Sequence, residues 1–289
     1  MALETSERIQ RTERAGIPVH WADLPGPFTA ALAFRVGAAD ERLPQRGITH
    51  LVEHVALSTL GRREHPFNGC VDAATTVFGA EGERDEVLEF LRLVAGALCD
   101  LPDAHFEIER RVLRAEAEGH DPGVVGRLLD HRFGSSGFGL LNYGELGLRW
   151  LAPSDLREWC AAHFTRANAV VWMSGEPPQD LGIALPDGVR RPQPAPEPLD
   201  CELPAYVAEG CGGVALTGLG ERSTALRVAM QLAGERLYDT VRSERGLAYA
   251  PSAASVRTVR QSASSTTGAS SSWQSEPRKA CPRLASSSL

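Results

Sequence analysis

The chain has 289 residues, of which 43% are hydrophobic and 23% charged, and its formal net charge is −7 at pH 7. This length accommodates two domains with buried cores, and the negative charge argues against nucleic acid as a partner. No apolar run of about 18 residues, no signal-peptide core in residues 1–15 and no Cys-x-x-Cys pair occurs in the sequence. We therefore expect a cytoplasmic protein with reduced cysteines and no membrane partner.

The predicted elements begin with two strands and a helix. Residues 16–36 are rich in apolar residues on both sides of a Pro25-Gly26-Pro27 turn, which indicates two strands. Residues 47–60 follow with the spacing of an amphipathic helix, in which Leu51 and Val55 can face a core.

Three polar residues of this helix, His50, Glu53 and His54, form an H-x-x-E-H pattern. Residues four apart lie one turn apart on the same helix face, so the two imidazoles can share one zinc ion. Glu53 beside them can then take a proton from a zinc-bound water. The alternative is a surface helix that carries two exposed histidines, and the pentad alone does not exclude it.

The next predicted elements bring further carboxylates. Residues 67–80 are predicted to form one strand, and residues 84–99 an amphipathic helix. Residues 103–119 form a Glu-rich helix in which Glu109 and Glu116, seven apart, lie on nearly the same face. One carboxylate could bind the metal while the other accepts a hydrogen bond from a ligand histidine. The alternative is a solvated helix whose Glu and Arg side chains pair with one another.

The remainder of the chain combines short elements with irregular segments. Ser154 is predicted to cap a helix over residues 155–163, and Ala169–Met173 is apolar enough for a buried strand. Pro and Gly dominate residues 177–199, which indicates a linker. The last predicted segments are a strand, a helix and a Ser-rich tail that is too polar to fold: 212–218, 223–243 and 252–289.

Taken together, these motifs resemble the pitrilysin/insulinase family of zinc metallopeptidases, the inverzincins. The similarity runs from VGAADERLPQRGITHLVEH (36–54) through ERRVLRAE (109–116) to RSERGLAY (242–249). It covers roughly residues 16–250, and several motifs agree in order. The resemblance implies one zinc ion per chain, with specific roles for five residues: His50, His54 and Glu116 as zinc ligands, Glu53 as general base and Glu109 as the partner behind a ligand histidine.

The resemblance also implies how substrate is held. Asn68 would lie in an edge strand that pairs with a bound peptide, and Arg242 and Tyr249 would hold substrate near the zinc from a facing domain. Two departures from the family are visible. Gly69 stands where the family usually has Ala, and the His54–Glu116 gap is shorter than usual, with the missing piece between Leu60 and Pro66.

The fold implied is α/β (α+β), with an antiparallel sheet flanked by helices. The expected organisation is an N-terminal extension, a zinc-binding peptidase domain, a Pro-rich linker, a partial second domain of the same type with the Arg/Tyr motif, and a disordered tail: 1–15, 16–178, 179–200, 201–251 and 252–289. We expect that the chain is truncated or frameshifted after about Ala250, so that a homo- or heterodimeric partner would supply a facing domain.

Two functions follow from these motifs. The first is a zinc metalloendopeptidase that hydrolyses peptides or small unfolded proteins. The second is a catalytically inactive peptide-binding or scaffold subunit of the same family. The intact set of ligand residues favours the peptidase, whereas the short inter-ligand gap and the incomplete second domain favour the scaffold.

Overall fold

The computed structural model describes residues 9–61, 66–117, 123–208, 213–221 and 223–253. Six strands, numbered β1 to β6 in chain order, are Gln10–Arg14, Ile17–Trp21, Phe28–Phe34, Phe67–Val71, Thr76–Gly82 and Ala169–Met173. Six α-helices, α1 to α6, are Ile48–Ser58, Arg84–Cys99, Phe106–Ala117, Gly123–Phe133, Pro153–His163 and Thr224–Leu237. A π-helical segment, Tyr238–Glu244, continues α6.

The strands form one sheet in the order β1–β2–β6–β3–β5–β4. The expected antiparallel arrangement is confirmed for every neighbouring pair except β2 and β6, which are parallel, with Val19 opposite Val171. Positions in β2, β3 and β6 alternate between buried and half-buried, because successive side chains point to opposite faces of a sheet. One face of the sheet therefore supplies the core.

Helices cover that face and carry the H-x-x-E-H pattern. Helix α2 packs on β3 and β5, while α1 contacts α2, α3, α5 and the edge strand β4. The apolar stripe of α1, including Leu51, Val52 and Val55, is completely buried. The helices predicted over 47–60 and 84–99 are confirmed, as is the one predicted over 103–119 within the described residues, where it spans Phe106–Ala117. Helix α1 is held in place by its buried side.

Three of the predicted elements have a different form in the structure. The single strand expected over 67–80 is a hairpin, β4–β5, because the Asp72 N–H donates to the Thr75 carbonyl oxygen at 2.8 Å and reverses the chain. The helix expected to be capped by Ser154 is capped at Ala152, whose N–H donates to the Asp155 carboxylate at 2.7 Å. The strand expected over 212–218 is wrong, since the described residues 213–218 form no strand.

The sheet also extends beyond the limits expected for the domain. Strand β1 pairs with β2 and lies within residues 1–15, which were expected to be an extension. The expected linker has no helix or strand, yet Leu181 and Ile183 are buried in the core. Further along, the Arg191 N–H donates to Asn168 Oδ1 at 2.9 Å. The first part of the Pro-rich segment therefore completes the core.

The C-terminal part of the described chain has a different character. Helix α6 occupies the position predicted for a helix over 223–243, but none of its residues is buried among the described residues. The expected disordered tail falls mostly on residues 254–289, which lie outside the described residues. Among the described helices, none combines the length and apolarity needed to cross a membrane.

Candidate metal centre

Helix α1 brings the two histidines together on the side opposite its buried stripe. The ring centroids of His50 and His54 are 4.8 Å apart, as expected for residues one helical turn apart. Their side chains are 30% and 20% exposed, whereas the Glu53 side chain between them is only 7% exposed. The two histidines are therefore accessible from solvent, whereas the Glu53 carboxylate between them is nearly buried.

The polar atoms of these three residues converge. His50 Nε2 and His54 Nε2 each lie 3.8 Å from Glu53 Oε2. One ligand atom from each of the three residues lies within 4.8 Å of the other two. The alternative of a surface helix that carries two unrelated exposed histidines does not account for this convergence.

A carboxylate lies behind each imidazole. His50 Nδ1 is 2.8 Å from Glu145 Oε1, and His54 Nδ1 is 3.2 Å from Glu109 Oε2. Because an ionised carboxylate can only accept a hydrogen bond, each Nδ1 must carry the hydrogen. In a neutral imidazole so oriented, Nε2 has a lone pair on the side of the cluster, which is the arrangement that a metal-binding histidine needs.

The structure positions the two predicted glutamates of α3 differently. Glu109 contacts His54, as expected for a partner behind a ligand. Glu116 is exposed and lies outside the cluster formed by His50, Glu53 and His54 among the described residues. It is still close enough for its negative charge to raise the pKa of both His50 and Glu53. Its role as third ligand stays a prediction.

Burial and charge perturb the protonation of the cluster. Burial raises the pKa of Glu53. The charges of His54 and His50 oppose this rise, and those of Glu116 and Glu109 reinforce it. For His50, burial lowers the pKa, but the hydrogen bond and charge of Glu145, with the charges of Glu53 and Glu116, outweigh it and raise the pKa. A carboxylate with a raised pKa is a better proton acceptor near neutral pH than an ordinary glutamate.

The edge strand β4 passes beside Glu53. It is the last strand in the sheet order and pairs only with β5 among the described strands, so the predicted edge position of Asn68 is confirmed. A Cβ atom at Gly69 would lie 2.6 Å from Glu53 Cδ and 2.7 Å from its Cγ. Glycine at this position therefore gives the Glu53 side chain the space that it occupies.

The predicted Arg/Tyr pair is assembled, but the described contacts do not connect it with the cluster. The Arg242 guanidinium lies 4.3 Å from the centroid of the Tyr249 ring, a favourable cation–π distance. Tyr249 is 82% exposed. The shortened stretch between Leu60 and Pro66 falls largely on residues 62–65, which lie outside the described residues.

The donor set suits zinc. Two imidazole nitrogens, each in a ring with a carboxylate at its Nδ1, together with nearby carboxylate oxygens, match the ligands that Zn²⁺ prefers. Sequence reasoning did not identify Glu145, which contacts His50 across 95 residues of chain. Glu145 belongs to no motif or periodic pattern. Only its position in the GELG segment, shortly before α5, could have indicated it.

Comparisons with known proteins bear on the fold. No family model and no curated protein matches the sequence. Solved structures that do match include pitrilysin, at 16% identity over 67% of this chain and 24% of that one, with a TM-score of 0.54. A Helicobacter pylori protease matches at 15% identity over 66% of this chain and 54% of that one, with a TM-score of 0.55.

A chain of complex III2 from Candida albicans matches at 19% identity, over 63% of this chain and 48% of that one, with a TM-score of 0.55. The chain thus spans between a quarter and about half of these structures. At such identities the similarity concerns the fold alone, and this protein has a pitrilysin-like fold: a six-stranded sheet flanked by helices.

Proposed function

We propose that this protein is a zinc-dependent metalloendopeptidase that acts on peptides or small unfolded proteins. The observation that carries the proposal is the convergence of His50 Nε2, His54 Nε2 and the Glu53 carboxylate, with a carboxylate behind each imidazole. The pitrilysin-like fold, which proteases among the similar structures share, supports it.

In this proposal His50, His54 and Glu116 hold the metal, one ion per chain. Zinc bound there would polarise the scissile carbonyl and make water more acidic. Glu53 is the general base: its Oε2 faces both Nε2 atoms at 3.8 Å, and burial raises its pKa. The Nδ1 contacts with Glu145 and Glu109 keep both rings oriented toward Glu53.

Substrate would add to the sheet at β4. An edge strand presents unpaired backbone groups, with which an extended peptide can form a further strand. Because β4 contains Gly69 directly against Glu53, a peptide paired with Asn68 and its neighbours would pass beside the general base. Arg242 and Tyr249, from this chain or from a homo- or heterodimeric partner, would hold the peptide from the facing side.

The first experiment measures zinc in the purified chain and in a Glu116→Gln variant. We expect about one zinc per chain in the wild type and a loss of zinc in the variant. Glu107→Gln is the matched control, because Glu107 is an exposed glutamate on the same helix that pairs with Arg110. A wild-type chain without zinc would contradict the proposal, and equal zinc in all three proteins would remove Glu116 from the ligand set.

The second experiment separates chemistry from binding. Glu53→Gln should keep the zinc and lower kcat for an unstructured peptide by roughly 100- to 10,000-fold, the range typical of a lost general base. Undiminished turnover by this variant would show that Glu53 is not the base.

A peptide-binding or scaffold subunit is the second candidate. Two observations favour it: Glu116 is exposed and outside the cluster, and a chain of the complex III2 assembly shares the fold. A chain that binds an extended peptide with and without chelator, and never cleaves it, would support the scaffold over the peptidase.

A further inference from the structure

The segment that carries Glu145 is tied to the start of α1 by backbone and side-chain contacts. The Gly147 N–H donates to the Arg46 carbonyl oxygen at 2.9 Å, and Arg46 Nε donates to the Leu140 carbonyl oxygen at 2.8 Å. Trp150 Nε1 donates to the Pro44 carbonyl oxygen at 2.7 Å. Residues 140–150 therefore have a fixed position relative to the turn that opens α1.

Glycines allow this approach. Gly47, at φ +99°, precedes α1, and a Cβ atom there would lie 2.7 Å from Glu145 Cβ. A Cβ atom at Gly147 would lie 2.8 Å from the Arg46 carbonyl oxygen. The Glu145 side chain thus packs against the helix start, where the partial positive charge of a helix N-terminus favours a carboxylate.

Arg46 connects Glu145 with a second, fully buried carboxylate. Its Nη1 lies 3.1 Å from Glu41 Oε2 and 3.6 Å from Glu145 Oε1. Glu41 also accepts hydrogen bonds from the Gly47 N–H at 2.9 Å and the Thr49 N–H at 3.0 Å. One guanidinium therefore holds Glu145 in place while Glu41 holds that guanidinium and the first turn of α1.

From this geometry we propose that Glu145 is a positioning residue for the metal site: it fixes the Nδ1–H tautomer and the ring orientation of His50. Arg46 in turn holds the Glu145 carboxylate in place beside His50. The inference rests on the proposed zinc site and deepens it. Each candidate histidine ligand then has its own carboxylate: Glu109 on α3 for His54, and Glu145 on the loop before α5 for His50.

The first measurement is the tautomer of His50 in the metal-free protein. In wild-type apoprotein, at a pH high enough that the His50 imidazole is neutral, its ¹⁵N shifts should report the Nδ1–H tautomer. In Glu145→Ala they should report a mixture or the Nε2–H tautomer, because the acceptor at Nδ1 is gone. This reading is independent of zinc binding and of peptidase activity, so it tests Glu145 even if the proposed function fails.

Zinc affinity is the second readout, measured by competition with a chromophoric chelator. Losing the partner behind a ligand histidine costs about 10- to 100-fold in metal affinity, and we expect this range for Glu145→Ala. Glu145→Gln, which keeps the shape and one acceptor oxygen, should recover part of the loss. Glu107→Ala, at an exposed site of α3, should bind zinc as the wild type does.

The comparison of variants decides the inference. Wild-type tautomer and wild-type zinc affinity in both Glu145 variants would overturn it. If Glu145→Ala does not fold, as judged by its circular dichroism, Glu145→Leu decides, because it keeps the bulk of the side chain without an acceptor: zinc binding indistinguishable from wild type, with an unchanged His50 tautomer, would overturn the proposal.

Discussion

Gly69 illustrates how a single residue sets the geometry of the candidate site. Glu53 occupies the space that a side chain at position 69 would take: its Cδ and Cγ would lie 2.6 Å and 2.7 Å from an added Cβ atom. In this chain the Glu53 side chain therefore lies closer to the edge strand than an alanine at position 69 would permit.

Under the proposed function, we expect that Gly69→Ala forces Glu53 to rotate away and lowers kcat/KM by about 100-fold, the cost of misplacing a catalytic group by about 1 Å. Zinc content should not change, because the three atoms nearest to the added methyl group all belong to Glu53 and not to a histidine. Gly79→Ala is the matched control: Gly79 lies opposite Asn68 in the adjacent strand, and its nearest neighbours would be 3.6 Å from a Cβ atom. Equal activity of the two variants would contradict this role of Gly69.

Local spacing explains which site residues were predictable. His50, Glu53 and His54 lie within five residues of one helix, so a helical period alone brings them to one face. Glu109 was predictable as one member of a carboxylate pair, although which histidine it contacts is shown only by the fold. Glu145 was not, because its contact with His50 depends on how the loop before α5 returns to α1, and this is a property of tertiary packing.

At the scale of elements, the start of α1 depends on a buried ion pair. Glu41 is 4% exposed and Arg46 is 9% exposed, and burial raises the pKa of Glu41 while Arg46 lowers it. Removing one partner of a buried pair leaves the other uncompensated, which is strongly destabilising.

Arg46→Met should therefore lower the free energy of unfolding by about 3–5 kcal/mol, measured by urea denaturation. Arg42→Met, at an exposed position of the same turn, should change it by less than about 0.5 kcal/mol. If the two variants are equally stable, the pair does not hold the helix start.

The two strand predictions that are wrong have different physical causes. The turn between β4 and β5 has the sequence Asp72-Ala73-Ala74-Thr75, which lacks the Gly and Pro that mark most turns, so the sequence predicts one continuous strand. Residues 213–218 have the apolar alternation of a strand, but Val214 and Leu216 are 97% and 98% exposed. Alternation makes a strand only where a neighbouring strand is available to pair with it.

At the scale of the whole molecule, burial is concentrated in the first two thirds of the chain. The core includes Leu181 and Ile183, whereas residues 197–208 are exposed without helix or strand and α6 has no buried residue among those described. The α/β class could be predicted from alternating strand and helix patterns, but the limits of the folded unit could not, because Pro-rich sequence does not show which of its residues enter a core.

Limited proteolysis should therefore cut first within residues 197–208 and leave a stable fragment that extends beyond residue 178, to about residue 192 or later. We expect its Tm to equal that of the intact chain, since the sheet and its covering helices are retained. A resistant fragment that reaches residue 253 would show that α6 belongs to the same cooperative unit.

Strand β6 also affects how the protein is made. It lies between β2 and β3, and without it the sheet would be two separate pieces, β1–β2 and β3–β5–β4. A ribosome that adds about 5–20 residues per second needs roughly 7–28 s to advance from Phe34, where β3 ends, to Met173, where β6 ends, and β6 completes the sheet only after that. During this interval the nascent chain presents two open strand edges with apolar faces, which makes it a target for chaperones and prone to aggregation until β6 emerges.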